Sequence, residues 1–165
     1  MLHESLFDGA PVRIRYRANL HDTAGNPAHA ATFIRRREII LDPELKNKPR
    51  QHRRILLHEY FHFVWVRLGN PRRAAWEAIL NSELQTHARG EAGWSAEWRK
   101  KKLSPRDVTG RTRLWREYCC ESFCDTAALL CAANADRTEV TLPAKRLRER
   151  ANRFSAIFPS RTFAI

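Results

Sequence analysis

Six glycines and eight prolines among 165 residues are too few for a collagen-like or low-complexity chain, and the sequence shows neither an internal repeat nor a biased tract. No apolar run is long enough to span a bilayer, which argues against a membrane protein. The opening MLHESLFDGAPV has no basic leader and no apolar stretch, so a cytoplasmic location is the expectation. Cysteine is scarce and bunched. Cys119, Cys120, Cys124 and Cys131 all fall within one predicted helix, which is not how a secreted disulfide framework is laid out, and reduced thiols follow. Acidic residues are outnumbered, 18 against 30 lysines and arginines, for a net charge of +12. Such a balance favours contact with nucleic acid or an acidic protein surface. The basic runs at 35–37, 53–54, 72–73 and 99–102 are scattered, however, and solvated faces are their commoner explanation. With 43% apolar residues, the chain reads as one ordered globular domain spanning 1–165.

Residues 12–20 alternate Val12, Ile14, Tyr16 and Ala18 with Arg13, Arg15 and Arg17, the period of a strand packed on one face and basic on the other. A loop rich in turn formers at 21–30 leads to a second apolar stretch at 31–34. A third strand at 38–42 is ended by Asp42 and Pro43. The expected product is a small antiparallel sheet of about three strands. Pro49 suits the first turn of a central helix, and Gly69 suits a left-handed cap at its end. Asn70 and Pro71 then read as the N-cap and first position of a helix reaching about Arg89. In 91–110, Trp94 and Trp98 are expected to pin a long connection onto the core. A further helix covers about 111–133. The last, with Thr141 as N-cap, carries Leu147, Ala151, Phe154, Ile157 and Phe158 on one side and arginines on the other. About five helices follow the strands, an α+β arrangement.

The chemistry concentrates in ILLHEYFHFVWV, residues 55–66. On a helix His58 and His62 lie one above the other with Glu59 beside them. This H-E-x-x-H pattern supplies two imidazoles for a zinc ion and a carboxylate to activate water. Apolar neighbours on both flanks bury the helix, and a buried carboxylate without a partner would be costly. Catalytic zinc takes three protein ligands and leaves one position open, so a third must be found. Glu121 is the preferred candidate. It shares a helix face with Leu114, Glu117, Tyr118, Asp125, Ala128 and Ala132, and the two alanines would let that face approach the central helix. Asp125 could accept the ring N–H of a ligating histidine and fix its tautomer. Glu83 and Glu117 stay open as rivals. The alternative for Glu83 is an exposed helical carboxylate, and for Glu117 an acceptor behind the ligands or a partner of Arg113 or Arg116. Cys124 adjoins the Glu121 face and thiolates bind zinc, although small buried residues are the commoner role for such cysteines. Tyr118 could donate to a developing oxyanion or be a structural tyrosine.

HEYFH followed by ESFCD resembles the gluzincin pattern of H-E-x-x-H and a later E-x-x-x-D. Within it the layout is similar to the ImmA/IrrE peptidases, whose short sheet precedes the zinc helix and whose later glutamate is followed by an alanine and paired leucines, as in ESFCDTAALL. The resemblance covers about residues 30–67 and 117–131. It implies a zincin-like fold around a buried metal helix, and a zinc-dependent metallopeptidase in which Glu59 is the general base. It also implies a protein or peptide substrate, such as a regulator, aligned along the strand at 38–42 or its neighbour. One departure stands out: the gap from His62 to Glu121 is longer than usual in that family. A different class of function is a basic nucleic-acid-binding module, or a scaffold, with a structural or non-catalytic zinc site.

Overall fold

The computed structural model describes residues 6–21, 25–160 and 162–165, so Asp22, Thr23 and Ala24 of the turn-rich loop lie outside the described residues. The architecture is α+β. In chain order it comprises β1 (Phe7–Asp8), β2 (Arg13–Tyr16), β3 (Ala30–Phe33), β4 (Glu38–Leu41), α1 (Pro49–Arg67), α2 (Asn70–Gln85), α3 (Trp94–Lys102), α4 (Pro105–Thr109), α5 (Arg113–Cys131), α6 (Ala144–Ile157) and β5 (Phe163–Ala164). No helix among the described residues is long and apolar enough to cross a membrane.

The three strands expected before the central helix are present, but their sheet is mixed rather than antiparallel. Its order is β2-β4-β3, with β4 antiparallel to β3 and parallel to β2. Successive strands do reverse direction along the chain. Because β4 inserts between the other two, however, its pairing with β2 becomes parallel. The β3–β4 reversal is tight: a single 3-10 turn at Ile34–Arg36 ends on Arg37, held at φ 48°. Residues of β4 are buried throughout, with Ile39 and Leu41 fully enclosed. In contrast β2 is exposed at every position, Ile14 and Tyr16 included, so the expected packed face is absent. Helix α1 packs against β3 and β4 and leaves β2 as an open edge, where alternation alone cannot secure burial.

Pro49 does open α1, after a 3-10 turn at Pro43–Asn47 whose first free N–H, that of Glu44, is accepted by Asp42 at 2.9 Å. The far end differs from the sequence expectation. Gly69 has φ −61° and forms no left-handed cap. Leu68 turns the chain into extended conformation, and the Arg73 guanidinium donates to the carbonyls of Trp65 (2.9 Å) and Val66 (2.8 Å). A side chain from the next helix thus satisfies the orphan acceptors that a glycine cap would otherwise serve. Gly69, rather than Asn70, is the N-cap of α2, and α2 stops at Gln85.

The core forms where α1, α5, α6 and β5 meet. Phe61 and Phe163 lie 4.9 Å apart between ring centroids, as do Phe158 and Phe163, while Phe61, Phe123 and Phe154 pack at 5.8–6.0 Å from one another. Burial of each such ring contributes on the order of 2 kcal/mol. The short pairing of β1 with β5 was not legible beforehand; it brings Phe163 onto the HExxH helix. On the other flank of α1, Leu57 packs with Ala128 and Ala132, the small residues that permit close approach of α5.

Residues 91–110 form α3 and α4. Trp94, 58% exposed, does not pin them down, whereas Trp98 is half-buried beneath Arg99 and Lys102. Glu91, Ala92, Gly93 and Ala96 are the buried residues of this stretch. Thr141 also differs from expectation. It does not cap α6, whose N-cap is Pro143; its hydroxyl accepts from the Glu91 N–H at 2.9 Å, and its own N–H donates to the Glu91 carbonyl at 2.9 Å.

Candidate functional site

Helix α1 presents His58 and His62 with ring centroids 5.0 Å apart. Among the described residues, two groups have ligand atoms mutually within 4.8 Å and can hold a metal ion: His58, Glu59 and His62; and His62, Cys120 and Cys124. Helix α5 lies across α1 and supplies the carboxylates. Glu121 Oε2 is 3.3 Å from His58 Nε2, and Asp125 Oδ1 is 2.9 Å from His58 Nδ1. With one ring nitrogen held by Asp125, His58 keeps Nε2 for a ligand, and a nitrogen and an oxygen bound to one tetrahedral zinc would stand ~3.3 Å apart. The His58–Glu121 separation therefore suits two donors to one ion, although Glu121 belongs to neither of the two groups whose ligand atoms all lie within 4.8 Å of one another.

Glu59 faces the sheet. Thr32 of β3 donates to Glu59 Oε2 at 2.6 Å, and at 3.3 Å to the Glu59 main-chain carbonyl. One carboxylate oxygen is thus tied to the strand. His62 turns Nδ1 toward sulfur: Cys120 Sγ is 3.4 Å away and Cys124 Sγ 3.7 Å. Both cysteines, expected as inert packing, adjoin this histidine instead. No disulfide joins cysteines among the described residues.

The start of α3 completes the surroundings. Asp125 Oδ2 accepts the Ala96 N–H at 3.1 Å, so each oxygen of this carboxylate has its own donor. Gly93 permits that approach, because a Cβ there would collide with the Asp125 carboxylate and the Arg54 guanidinium. Ser95 Oγ donates to Glu121 Oε2 at 2.5 Å. Arg99 places Nη2 3.5 Å from Glu121 Oε1 and its guanidinium 4.4 Å over the Trp98 ring. Arg99 belongs to the basic run at 99–102, which splits: Arg99 and Lys100 are turned inward, whereas Lys101 is 72% exposed.

These contacts set the charge states. Burial opposes charge on His58, but Asp125 and Glu121 outweigh it and hold its pKa well above the ordinary value. Burial likewise works against charge on His62, yet Cys120 and Glu121 raise it to about 9. Burial pushes the Glu121 carboxyl up, and the hydrogen bond from His58, with the charges of His62 and Arg99, brings it well below the usual carboxylate range.

Of the remaining sequence candidates, Tyr118 is fully buried and donates its hydroxyl to Glu91 Oε1 at 2.6 Å, which removes it from an oxyanion role. Glu83, expected as a ligand rival or an exposed carboxylate, is neither. It is fully buried and bound by both ends of the Arg150 guanidinium, at 2.6 and 2.9 Å. Glu117 pairs with Arg113 at 2.7 Å and touches no candidate ligand. Arg150 also binds Glu91 (2.6 Å) and Ser122 (2.9 Å), while Lys100 lies 3.1 Å from Glu91. Burial would raise the Glu91 pKa, but Arg150, Lys100 and the Tyr118 hydroxyl bring it down to about 2. This buried network escaped the sequence reading, although a signal existed: Arg150 falls between Leu147 and Phe154 on the apolar stripe of α6, not among its outward arginines.

Comparison of the chain with family models, with curated proteins and with solved structures finds no match in any of the three.

Proposed function

We propose that the protein is a zinc-dependent metallopeptidase of zincin-like type, with His58, His62 and Glu121 as metal ligands and Glu59 as general base. The observation that carries this reading is the seating of His58 between Asp125 on Nδ1 and Glu121 on Nε2, beside a second histidine and a carboxylate from the same helix. A zinc ion there supplies Lewis acidity, lowering the pKa of a water and polarising a scissile carbonyl. Glu59 takes the water's proton on the oxygen not bound by Thr32 and returns it to the leaving amine. Thr32 keeps the carboxylate aimed, and Asp125 keeps the His58 tautomer that leaves Nε2 free. β3, carrying Thr32, lies beside the site and is suited to align an extended protein or peptide segment. Arg99, 3.5 Å from Glu121, holds that carboxylate in place.

The test combines metal analysis with cleavage. His58→Ala should lose bound zinc, while Glu59→Gln should retain it and lose cleavage of a mixture of extended peptides, read as new termini by mass spectrometry. Full cleavage by Glu59→Gln would overturn the mechanism. Glu121→Ala should weaken zinc binding more than Glu83→Ala or Glu117→Ala, and the reverse order would overturn the ligand assignment. The nucleic-acid reading draws on the open strand β2, where Arg13 and Arg15 stand exposed; salt-dependent retention on DNA or RNA that survives zinc removal would favour it.

A further inference from the structure

The three donors around the far edge of His62 form a second constellation. Cys120 and Cys124 are one turn apart on α5, and both sulfurs approach the same imidazole nitrogen, Nδ1, at 3.4 and 3.7 Å. Zinc-like ions bind thiolate sulfur at ~2.3 Å and imidazole nitrogen at ~2.0–2.1 Å, so at tetrahedral angles a nitrogen and a sulfur on one ion stand ~3.5 Å apart. The two observed separations bracket that value. All three ligand atoms also lie within 4.8 Å of one another. One cation between the three atoms would take a lone pair from each of them. Cys120 and His62 are only partly buried, so an ion has a way in.

We propose that His62 Nδ1, Cys120 Sγ and Cys124 Sγ form a binding site for a thiophilic closed-shell cation of the Cd2+, Zn2+ and Cu+ class, distinct from the His58–His62–Glu121 centre. The two nitrogens of an imidazole point away from each other, so an ion on Nδ1 cannot be the ion on Nε2. A divalent ion enters by displacing to solvent the protons held on the two sulfurs and on Nδ1, leaving two thiolates, a neutral imidazole and a neutral ion-thiolate unit, and soft donors of this kind select soft metals. The site's existence does not depend on the peptidase reading. Its consequence does: a neutral imidazole that donates through Nδ1 carries its proton on Nε2, so loading the sulfur site opposes zinc binding at the other edge and inhibits the enzyme.

The experiment uses Cd2+ as probe, following the ultraviolet thiolate-to-cadmium charge-transfer band on the full chain. The wild type should develop the band at about one equivalent, and Cys120→Ser/Cys124→Ser should lose it with at least a tenfold weaker affinity. His58→Ala/Glu121→Ala should keep the band while losing the other centre, so a failed peptidase assignment leaves this outcome readable. Alkylation mass spectrometry on the wild type supplies a measurement that needs no variant: Cd2+ should protect Cys120 and Cys124 more than Cys119 and Cys131. No band in the folded protein, a band that survives Cys120→Ser/Cys124→Ser, or equal protection of all four cysteines would each overturn the proposal.

Discussion

Replacing Asp125 by asparagine isolates the part of the site that orients a ligand without binding the metal. Its two oxygens serve two different donors, His58 Nδ1 at 2.9 Å and the Ala96 N–H at 3.1 Å. Asparagine has nearly the same shape but only one acceptor oxygen. If that oxygen faces His58, the amide N–H2 confronts the Ala96 N–H, and a buried donor is left unmade at a cost of about 1–3 kcal/mol of stability. If the amide is reversed, Ala96 is satisfied but Nδ1 of His58 meets a donor, which favours the tautomer carrying its proton on Nε2. Either way the pre-set ligand geometry is lost. Removing such an outer partner weakens metal binding by roughly 10–100-fold, which is ~1.4–2.8 kcal/mol. Zinc affinity would be measured by competition with a chromophoric chelator, and stability of the metal-free chain by urea denaturation. Zinc affinity within twofold of wild type in a fully folded Asp125→Asn protein would refute the assignment of Asp125 and His58 to one centre.

Two further predictions concern the buried ion network. Arg150→Met strips Glu83 of the one cation paired with it among the described residues while Glu91 keeps Lys100, so it should destabilise the fold by about 3–5 kcal/mol. For a domain of this size that lowers the melting temperature by roughly 6–20 °C by scanning calorimetry, and a change under about 1 kcal/mol would mean the network is not closed as described. The pH dependence follows from Glu91, whose pKa is lowered from 4.5 to about 2. A depressed carboxylate contributes stability that is fully present above its unfolded pKa and lost as pH falls toward its folded one. Urea unfolding in chelator should therefore show stability declining between about pH 4.5 and 2, with Glu91 accounting for on the order of 3 kcal/mol. Glu91→Gln should flatten that decline, and an unchanged slope would contradict the assignment.

The spacing of His58, Glu59 and His62 made legible the face of α1 whose ligand atoms gather within 4.8 Å, because i, i+4 geometry is local and needs no knowledge of the rest of the chain. Glu121 and Asp125 were legible for the same reason, as one turn of a second helix. What sequence could not supply was orientation across elements. Tyr118 shares their helix, but its long side chain reaches Glu91, and only the position of α3 decides that. Cys120 and Cys124 looked like packing residues because burial is their usual state, whereas the register of α5 against α1 brings both to His62. The β2 alternation suggested one covered face, yet nothing in a strand's own residues says whether a helix lies over it.

The long gap between His62 and Glu121 acquires a physical role once its contacts are traced. Its segment from Glu91 to Arg99 is fastened at one end and applied to the site at the other. Glu91 is held by Arg150, Tyr118, Lys100 and Thr141, a set of partners drawn from α3, α5, α6 and the loop before α6. Within the next eight residues Gly93 makes room for Asp125, Ser95 and Arg99 bind Glu121, and the Ala96 N–H binds Asp125. A carboxylate ligand on α5 left to itself would be free to rotate or to pair elsewhere. Clamped from this side, Glu121 and Asp125 are fixed in the orientation that His58 requires. The buried salt bridges then need contribute no net stability to be retained, since such networks more often specify a position than strengthen a fold. Here the position they specify is that of the segment braced against the two acids.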